Sequence, residues 1–326
     1  MSFTQQDQIF QLKTVIEFEN LCLKIFQYQA EMVPVYAKYI KLLSIIPAQV
    51  KSIRQIPFLP VNFFKSHHVK GNDDYKLIFT SSATTGSEVS QHFVQDLSIY
   101  KNSFNHCFKQ FYGNPPPLTI LALLPSYLER GGSSLVYMVE ELIKQSALDS
   151  GFYLYNHEEL YEKLIKIQKQ KKPVLLIGVS FALCDFAEKY QLNFPELMVM
   201  ETGGMKGKRK EMIREELHEI LKTKFGVTEI HSEYGMTELL SQAYSKGNGI
   251  FETPNWMKII IRDTNDPFTF LGNGKTGGIN IIDLANVNSC SFIATQDLGS
   301  THANGTFEVK GRFDNSDIRG CNLMVE

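Results

Sequence analysis

Two short stretches, far apart in the chain, carry residue types suited to the same chemistry. The first is Thr80-Ser81-Ser82-Ala83-Thr84-Thr85-Gly86, a turn-prone run directly after the apolar segment Leu77-Ile78-Phe79. Such a loop offers backbone N–H groups and several hydroxyl donors to phosphate oxygens. The second is Tyr234-Gly235-Met236-Thr237-Glu238. It supplies a flat aromatic ring for a base, a hydroxyl for a phosphate and a carboxylate for Mg2+. Together they imply a protein that binds ATP in order to activate something else.

The elements that must position these residues follow from local pattern. Thr14 and Glu17 form a capping box ahead of Val15, Phe18, Cys22, Ile25 and Phe26, which recur at helical spacing. Tyr36 to Leu43 reads as a second helix, and the prolines of Ile56-Pro57-Phe58-Leu59-Pro60-Val61 rule out helix interior there. Asp96 caps a helix carrying Leu97, Tyr100, Phe104, Cys107, Phe108 and Phe111 on one face, and Gly113 stops it. Leu118–Leu124, Pro173–Val179 and Leu197–Met200 are continuous apolar runs of the kind buried strands show. Helices are expected from Gly131-Gly132-Ser133-Ser134 to near Lys144, with Ser133 or Gly132 at the cap, from Phe181 to Lys189, and from Lys208 to Lys224. Strands alternating with helices predict an α/β fold built on a mainly parallel sheet. Beyond Tyr244 the texture changes. Lys258–Ile261, Gly278–Ile282, Ser291–Ala294 and Thr306–Val309 are short strands separated by Gly, Asn and Asp, which reads as a β-rich subdomain, a small distorted barrel. The expected division is an α/β core over 1–244, a β-rich subdomain over 245–311 and a tail over 312–326.

Composition narrows the function. With 43% hydrophobic residues in 326, the chain can bury a large core. Lys and Arg number 33 against 35 Asp and Glu, so nothing favours nucleic acid or an anionic membrane as partner. No stretch reaches the ~20 apolar residues that span a bilayer, and the N-terminus shows no secretory pattern. The expectation is a soluble cytoplasmic protein. Its five cysteines, Cys22, Cys107, Cys184, Cys290 and Cys321, make no metal-binding spacing, and four lie in apolar surroundings. His67-His68 reads as packing rather than as a metal site.

In this order the motifs resemble those of the adenylate-forming superfamily, which includes the acyl-CoA ligases. The phosphate loop of that superfamily, roughly Ser-Ser/Gly-Gly-Thr-Thr-Gly, matches Ser81, Ser82, Ala83, Thr84, Thr85 and Gly86. Its aromatic-Gly-x-Thr-Glu signature matches Tyr234 to Glu238. A ribose-binding Asp matches Asp297, a glycine pair beside the adenine matches Gly203-Gly204, and a hinge element matches Gly311-Arg312-Phe313-Asp314. Within the superfamily the nearest resemblance is to the acyl-protein synthetases of bacterial luminescence fatty-acid reductase systems. It rests on Pro57-Phe58-Leu59-Pro60-Val61, Phe63-Phe64-Lys65, Gly203-Gly204-Met205-Lys206-Gly207 and the final Arg319-Gly320-Cys321-Asn322-Leu323-Met324. The likeness runs from about Pro57 to the end of the chain.

The resemblance implies an ATP- and Mg2+-dependent ligase that converts a carboxylic acid, of the fatty-acid class, to an acyl-adenylate and passes the acyl group to a thiol. Tyr234, with Gly235, stacks on adenine; Thr84, Thr85 and Thr237 bond phosphate oxygens; Glu238 holds Mg2+; Cys321 receives the acyl group. The onward partner is an acyl-CoA reductase or an acyl carrier protein. Three departures stand out. Ala83 replaces the usual loop glycine, and Glu88-Val89-Ser90 stands where acyl-CoA ligases often carry a lysine. The chain also stops just past the hinge, so the lid domain with its catalytic lysine is expected to be absent. Another cation must then serve the transition state, and Lys206, Lys208 and Arg312 are the candidates. Two rivals stay open: an acyl-CoA or acyl-carrier ligase without a covalent intermediate, and a nucleotide-binding protein without catalysis.

Overall fold

The computed structural model describes residues 3, 6–81, 88–125, 131–203 and 212–313. They gather into two compact units that interleave along the chain, one from 1–76, 92–95 and 255 onward, the other from 77–91 and 96–254.

The second unit is the α/β one. Five parallel strands lie in the order Gly151–Tyr153, Thr119–Leu123, Val174–Gly178, Met198–Glu201, His231–Tyr234, and two antiparallel strands, Ala243–Ser245 and Ile250–Glu252, follow. Every residue of Thr119–Leu123 and Val174–Gly178 is buried, as their unbroken apolar sequence requires. The helices are Leu97–Tyr112, Ser134–Gln145, His157–Gln170, Ser180–Lys189 and Arg214–Phe225. Their ends obey local chemistry. Asp96 accepts from Ser98 N–H at 2.8 Å and Ser133 from Val136 N–H at 3.3 Å, while Gly113 (φ +79°) and Gly226 (φ +68°) close two helices.

Two elements differ from the sequence expectation. The helix expected from Lys208 begins at Arg214, with Glu215 and Glu216 in its first turn, where the helix dipole favours acids; residues 208–211 lie outside the described set. The helix His157–Gln170 is an addition. Its buried Leu160, Leu164 and Ile167 recur at helical spacing inside a strongly charged segment.

The first unit is strand-rich. Met257–Arg262, Gly277–Asp283, Phe292–Thr301 and Phe307–Arg312 form an antiparallel sheet in that order. Leu59–Pro60 adds a parallel pairing, Leu59 opposite Ile293 and Pro60 opposite Ala294. Its two longest described helices are Val15–Met32 and Pro34–Leu42, the first opened by the Thr14–Glu17 capping box. Gln29, fully buried, donates to Asn286 O, Val287 O and Ser291 Oγ at 3.0, 2.9 and 3.1 Å, and accepts from Ser291 N–H at 3.0 Å. Phe26, Tyr36, Phe58 and Phe292 pack on one another with ring centroids 6.0–6.2 Å apart. The longest helix beyond Tyr244 is one turn, Leu284–Asn286, among the described residues. No described helix is long and apolar enough to cross a membrane.

Candidate functional site

Open parallel sheets bind ligands at the carboxyl ends of their strands. In the α/β unit the three neighbouring strands that end at Gly178, Glu201 and Tyr234 exit on one row, since Gly178 pairs with Glu201 and Glu201 with Ser232. Hydrogen bonds tie the exits together. Thr202 N–H donates to Gly178 O at 3.1 Å, and Ser180 N–H donates to Gly203 O at 2.8 Å. Gly203 has φ +71°, a conformation that strains any other residue, and its Cα faces open space. The exposed backbone of this turn is therefore free to approach a flat ligand closely.

Glu201, at the end of its strand, is buried. Its Oε2 accepts from Gly203 N–H at 2.7 Å and from the Ser180 hydroxyl at 3.0 Å. Its Oε1 faces His218 Nε2 at 3.8 Å and Arg214 Nε at 4.0 Å. Burial by itself pushes this carboxyl up. The surrounding donors, from His218, Ser232 and the Gly203 N–H, with the Arg214 charge, outweigh burial and hold it down at about 2. Glu233, one residue along from its strand's pairing with Glu201, shows the reverse. Burial and then the Glu201 charge push it up to about 8, so it is mostly protonated at neutral pH.

Tyr234 to Glu238 leaves the His231–Tyr234 strand in a tight turn closed by Leu239 N–H donating to Met236 O at 3.1 Å. Thr237 and Glu238 occupy its corner. Glu238 is buried. Tyr234 is partly exposed and meets the Phe251 ring edge-on, centroids 6.0 Å apart. Gly235 packs its Cα against the Glu233 carboxyl and Gln242, so a side chain there would collide with Glu233.

Of the hydroxyl-rich loop, Ser81 is described; Ser82, Thr84, Thr85 and Gly86 lie outside the described residues. Both ends of the loop are held. Ser81 N–H donates to Ser90 O at 3.1 Å, and Ser90 N–H to Ser81 Oγ at 2.9 Å. One residue earlier, Thr80 N–H donates to Gly132 O at 2.8 Å. Gly132 belongs to the connection that leaves the carboxyl end of Thr119–Leu123. The loop thus starts from the same edge of the sheet.

Asp297 and Arg312 fall in the strand-rich unit, inside strands rather than in turns. The strand expected to end at Ala294 runs on to Thr301, and the one expected to end at Val309 reaches Arg312, which sets Asp297 opposite Arg312. Arg312 Nε lies 3.2 Å from Asp297 Oδ1. Arg262 braces this region, donating to Ile279 O, Asn280 Oδ1 and Thr295 O at 2.8, 2.8 and 2.5 Å and lying over the Phe313 ring. Gly204, Lys206, Lys208 and Cys321 lie outside the described residues.

Among the sequence candidates, Gly203, Tyr234, Gly235, Thr237, Glu238 and Ser81 thus belong to one sheet edge, and Asp297 and Arg312 to each other. Sequence reasoning passed over Glu201, Glu233 and Arg214, and read Gly132 only as a candidate helix cap. Glu201 had a signal: an acid closing an otherwise apolar strand. The four described cysteines are buried free thiols, and burial pushes Cys290 up to about 12 and Cys22 well above its ordinary value.

No protein-family model and no curated protein sequence matches the chain. Its structure is similar to 2-hydroxyisobutyryl-CoA ligase in an open conformation in complex with 2-HIB-AMP and CoA, with a TM-score of 0.68 and 12% identity over 92% of this chain and 75% of that one. The same ligase in its thioesterification state gives 0.65 and 15% identity over 93% and 69%. ATP-bound MatB from Rhodopseudomonas palustris gives 0.55 and 15% identity over 74% of this chain and 49% of that one. The fold is the mixed α/β fold of these structures, a mainly parallel sheet flanked by helices.

Proposed function

We propose that this chain is an AMP-forming acid–thiol ligase. The carboxylate oxygen of an acid attacks the α-phosphorus of ATP and expels pyrophosphate, leaving an acyl-adenylate. A thiolate then attacks the acyl carbon and expels AMP. The observation that carries the reading is the shared sheet edge: a left-handed glycine turn at Gly203, an aromatic at Tyr234, a Thr237–Glu238 corner and the start of the hydroxyl-rich loop at Ser81 all lie along it. Among the solved structures with this fold, 2-hydroxyisobutyryl-CoA ligase is in complex with 2-HIB-AMP and MatB is ATP-bound.

In this reading Tyr234 stacks on adenine, the Gly203-Gly204 backbone lies beside it, and the resemblance assigns the ribose hydroxyls to Asp297. Ser81, Ser82, Thr84, Thr85, Gly86 and Thr237 bond phosphate oxygens, and Lys206 offsets developing charge. Mg2+ fits the residues present. The described residues hold no cluster of three or more metal-ligating side chains, but Mg2+ arriving on a triphosphate needs only one or two carboxylates, and Glu238 supplies one. Bound there, it would neutralise phosphate charge.

The thiol is Cys321, which would make the chain an acyl-protein synthetase acting on a fatty acid and serving an acyl-CoA reductase or an acyl carrier protein. The burial of Cys22 and Cys290 removes them as nucleophiles. A second reading takes CoA as the direct acceptor, favoured by the CoA held in the 2-hydroxyisobutyryl-CoA ligase structures. One experiment separates them. The protein is incubated with ATP, Mg2+ and a panel of acids; pyrophosphate exchange into ATP and intact mass are measured, with and without CoA. Acid-dependent exchange plus an acyl adduct lost in Cys321→Ser supports the covalent route. Exchange with turnover only on added CoA, unchanged in Cys321→Ser, supports the second. ATP binding without exchange would leave a nucleotide-binding protein and sink both.

A further inference from the structure

Met198, Val199 and Met200 are followed by Glu201, and the acid is buried with its strand. A carboxylate placed there is costly unless its oxygens are hydrogen-bonded and offset by a cation. One oxygen is hydrogen-bonded twice, and the other faces the cation. Gly203 N–H and the Ser180 hydroxyl reach Oε2, and Ser180 in turn donates its backbone N–H to Gly203 O. Both polar backbone groups of Gly203 are therefore fixed, one by the carboxylate and one by a residue the carboxylate holds. Facing the other oxygen are His218 Nε2 at 3.8 Å and Arg214 Nε at 4.0 Å. The Arg214 guanidinium lies over the Phe251 ring, 5.3 Å from carbon to centroid, and Phe251 meets Tyr234. Gly249 leaves room for this arginine, since a Cβ there would sit 3.0 Å from Arg214 Cδ.

We propose that Glu201 is a positioning residue for the base end of the nucleotide site. It sets the Gly203 turn through its own carboxylate and Ser180, and it sets Tyr234 through Arg214 and Phe251. This rests on the nucleotide reading above. The carboxylate itself touches no nucleotide; it aligns the two surfaces between which the base lies, and its ionised state keeps Arg214 paired at neutral pH.

Titration calorimetry of the full chain with ATP and with AMP tests it. Binding of both by the wild type establishes the nucleotide reading independently; a wild type that binds neither overturns that reading and the positioning role with it. Where the wild type binds, Glu201→Gln is expected to weaken ATP and AMP by the same factor, about tenfold, the scale on which loss of an orienting partner is felt at a site. The KM for ATP rises accordingly, while kcat at saturating ATP and the KM for the acid stay unchanged. A folded Glu201→Gln with lowered melting temperature but wild-type affinity for both nucleotides would reduce Glu201 to a structural acid and overturn the proposal. So would a loss for ATP with none for AMP. Arg214→Lys decides the matter if Glu201→Gln does not fold. It keeps the positive charge and removes the flat guanidinium from Phe251. Weakened binding of both nucleotides supports the proposal, and unchanged binding overturns it.

Discussion

Glu201 and Glu233 lie on neighbouring strands with opposite titration, and this makes stability depend on pH in two directions. Glu201 is held at about 2 against an ordinary 4.5, so the unfolded chain takes up its proton first as pH falls. Stability from Glu201 is complete above about pH 4.5 and is lost toward pH 2, on the order of 3 kcal/mol. Glu233 is raised to about 8, so the unfolded chain releases its proton first as pH rises. Its contribution is complete below about pH 4.5 and is lost as pH climbs through 8. Chemical denaturation across pH 3–9 reads both limbs. Glu233→Gln should hold its midpoint between pH 5 and 8.5 where the wild type declines, and Glu201→Gln should flatten the acid limb. Parallel profiles for wild type and Glu233→Gln would show that the carboxyl ionises without penalty. None of this was legible in the sequence. Tyr234, Thr237 and Glu238 stood out as candidates by type and spacing; Glu201 showed only as an acid closing an apolar strand, and its coupling to Glu233 follows from the strand pairing.

At the scale of elements, what the sequence revealed was what local chemistry decides. Thr14, Asp96 and Ser133 cap the helices they were expected to cap, and the unbroken apolar runs are the buried parallel strands. Long-range pairing was not legible: the strand through Ser291–Ala294 extends to Thr301 because partners on both sides complete its ladder. Gly132 is the sharpest case. Its glycine-glycine context announced a helix start, but its second role, holding Thr80 at the mouth of the hydroxyl-rich loop, comes from a residue 52 positions away. With φ +69° and Thr80 Oγ1 only 2.8 Å from where a Cβ would stand, Gly132→Ala carries both backbone strain and a clash. Gly113 has φ +79° and nothing within 4 Å, so Gly113→Ala carries strain alone. Each variant should lose roughly 1–2 kcal/mol of stability from the left-handed backbone. Gly132→Ala alone should also weaken ATP binding, because the clash displaces the residue next to Ser81. Equal ATP affinity in the two variants would separate Gly132 from the loop's function.

The interleaving of the two units sets a constraint on the whole molecule that no single motif shows. The chemistry-bearing residues and the family resemblance begin at or after Pro57, yet the chain before it is built into the strand-rich unit. Gln29 satisfies the carbonyls of Asn286 and Val287 and the N–H and hydroxyl of Ser291, groups that turn from Gly277–Asp283 into Phe292–Thr301. Phe26, fully buried, contributes about 1.5–3 kcal/mol by burial alone. The deletion also removes the Gln29 bonds that hold Asn286, Val287 and Ser291 in place. Against a total stability on the order of 5–15 kcal/mol, removing both helices is decisive. Deleting residues 1–58 should therefore strip hydrogen-exchange protection from Met257–Arg262, Gly277–Asp283 and Phe292–Thr301, strands some two hundred residues away in sequence. Asp297 and Arg312, whose 3.2 Å pairing depends on the register of that sheet, should then lose their fixed geometry. Native-level protection of those three strands in the truncated chain would mean that the sheet holds its register unaided, and that the N-terminal helices only cover it.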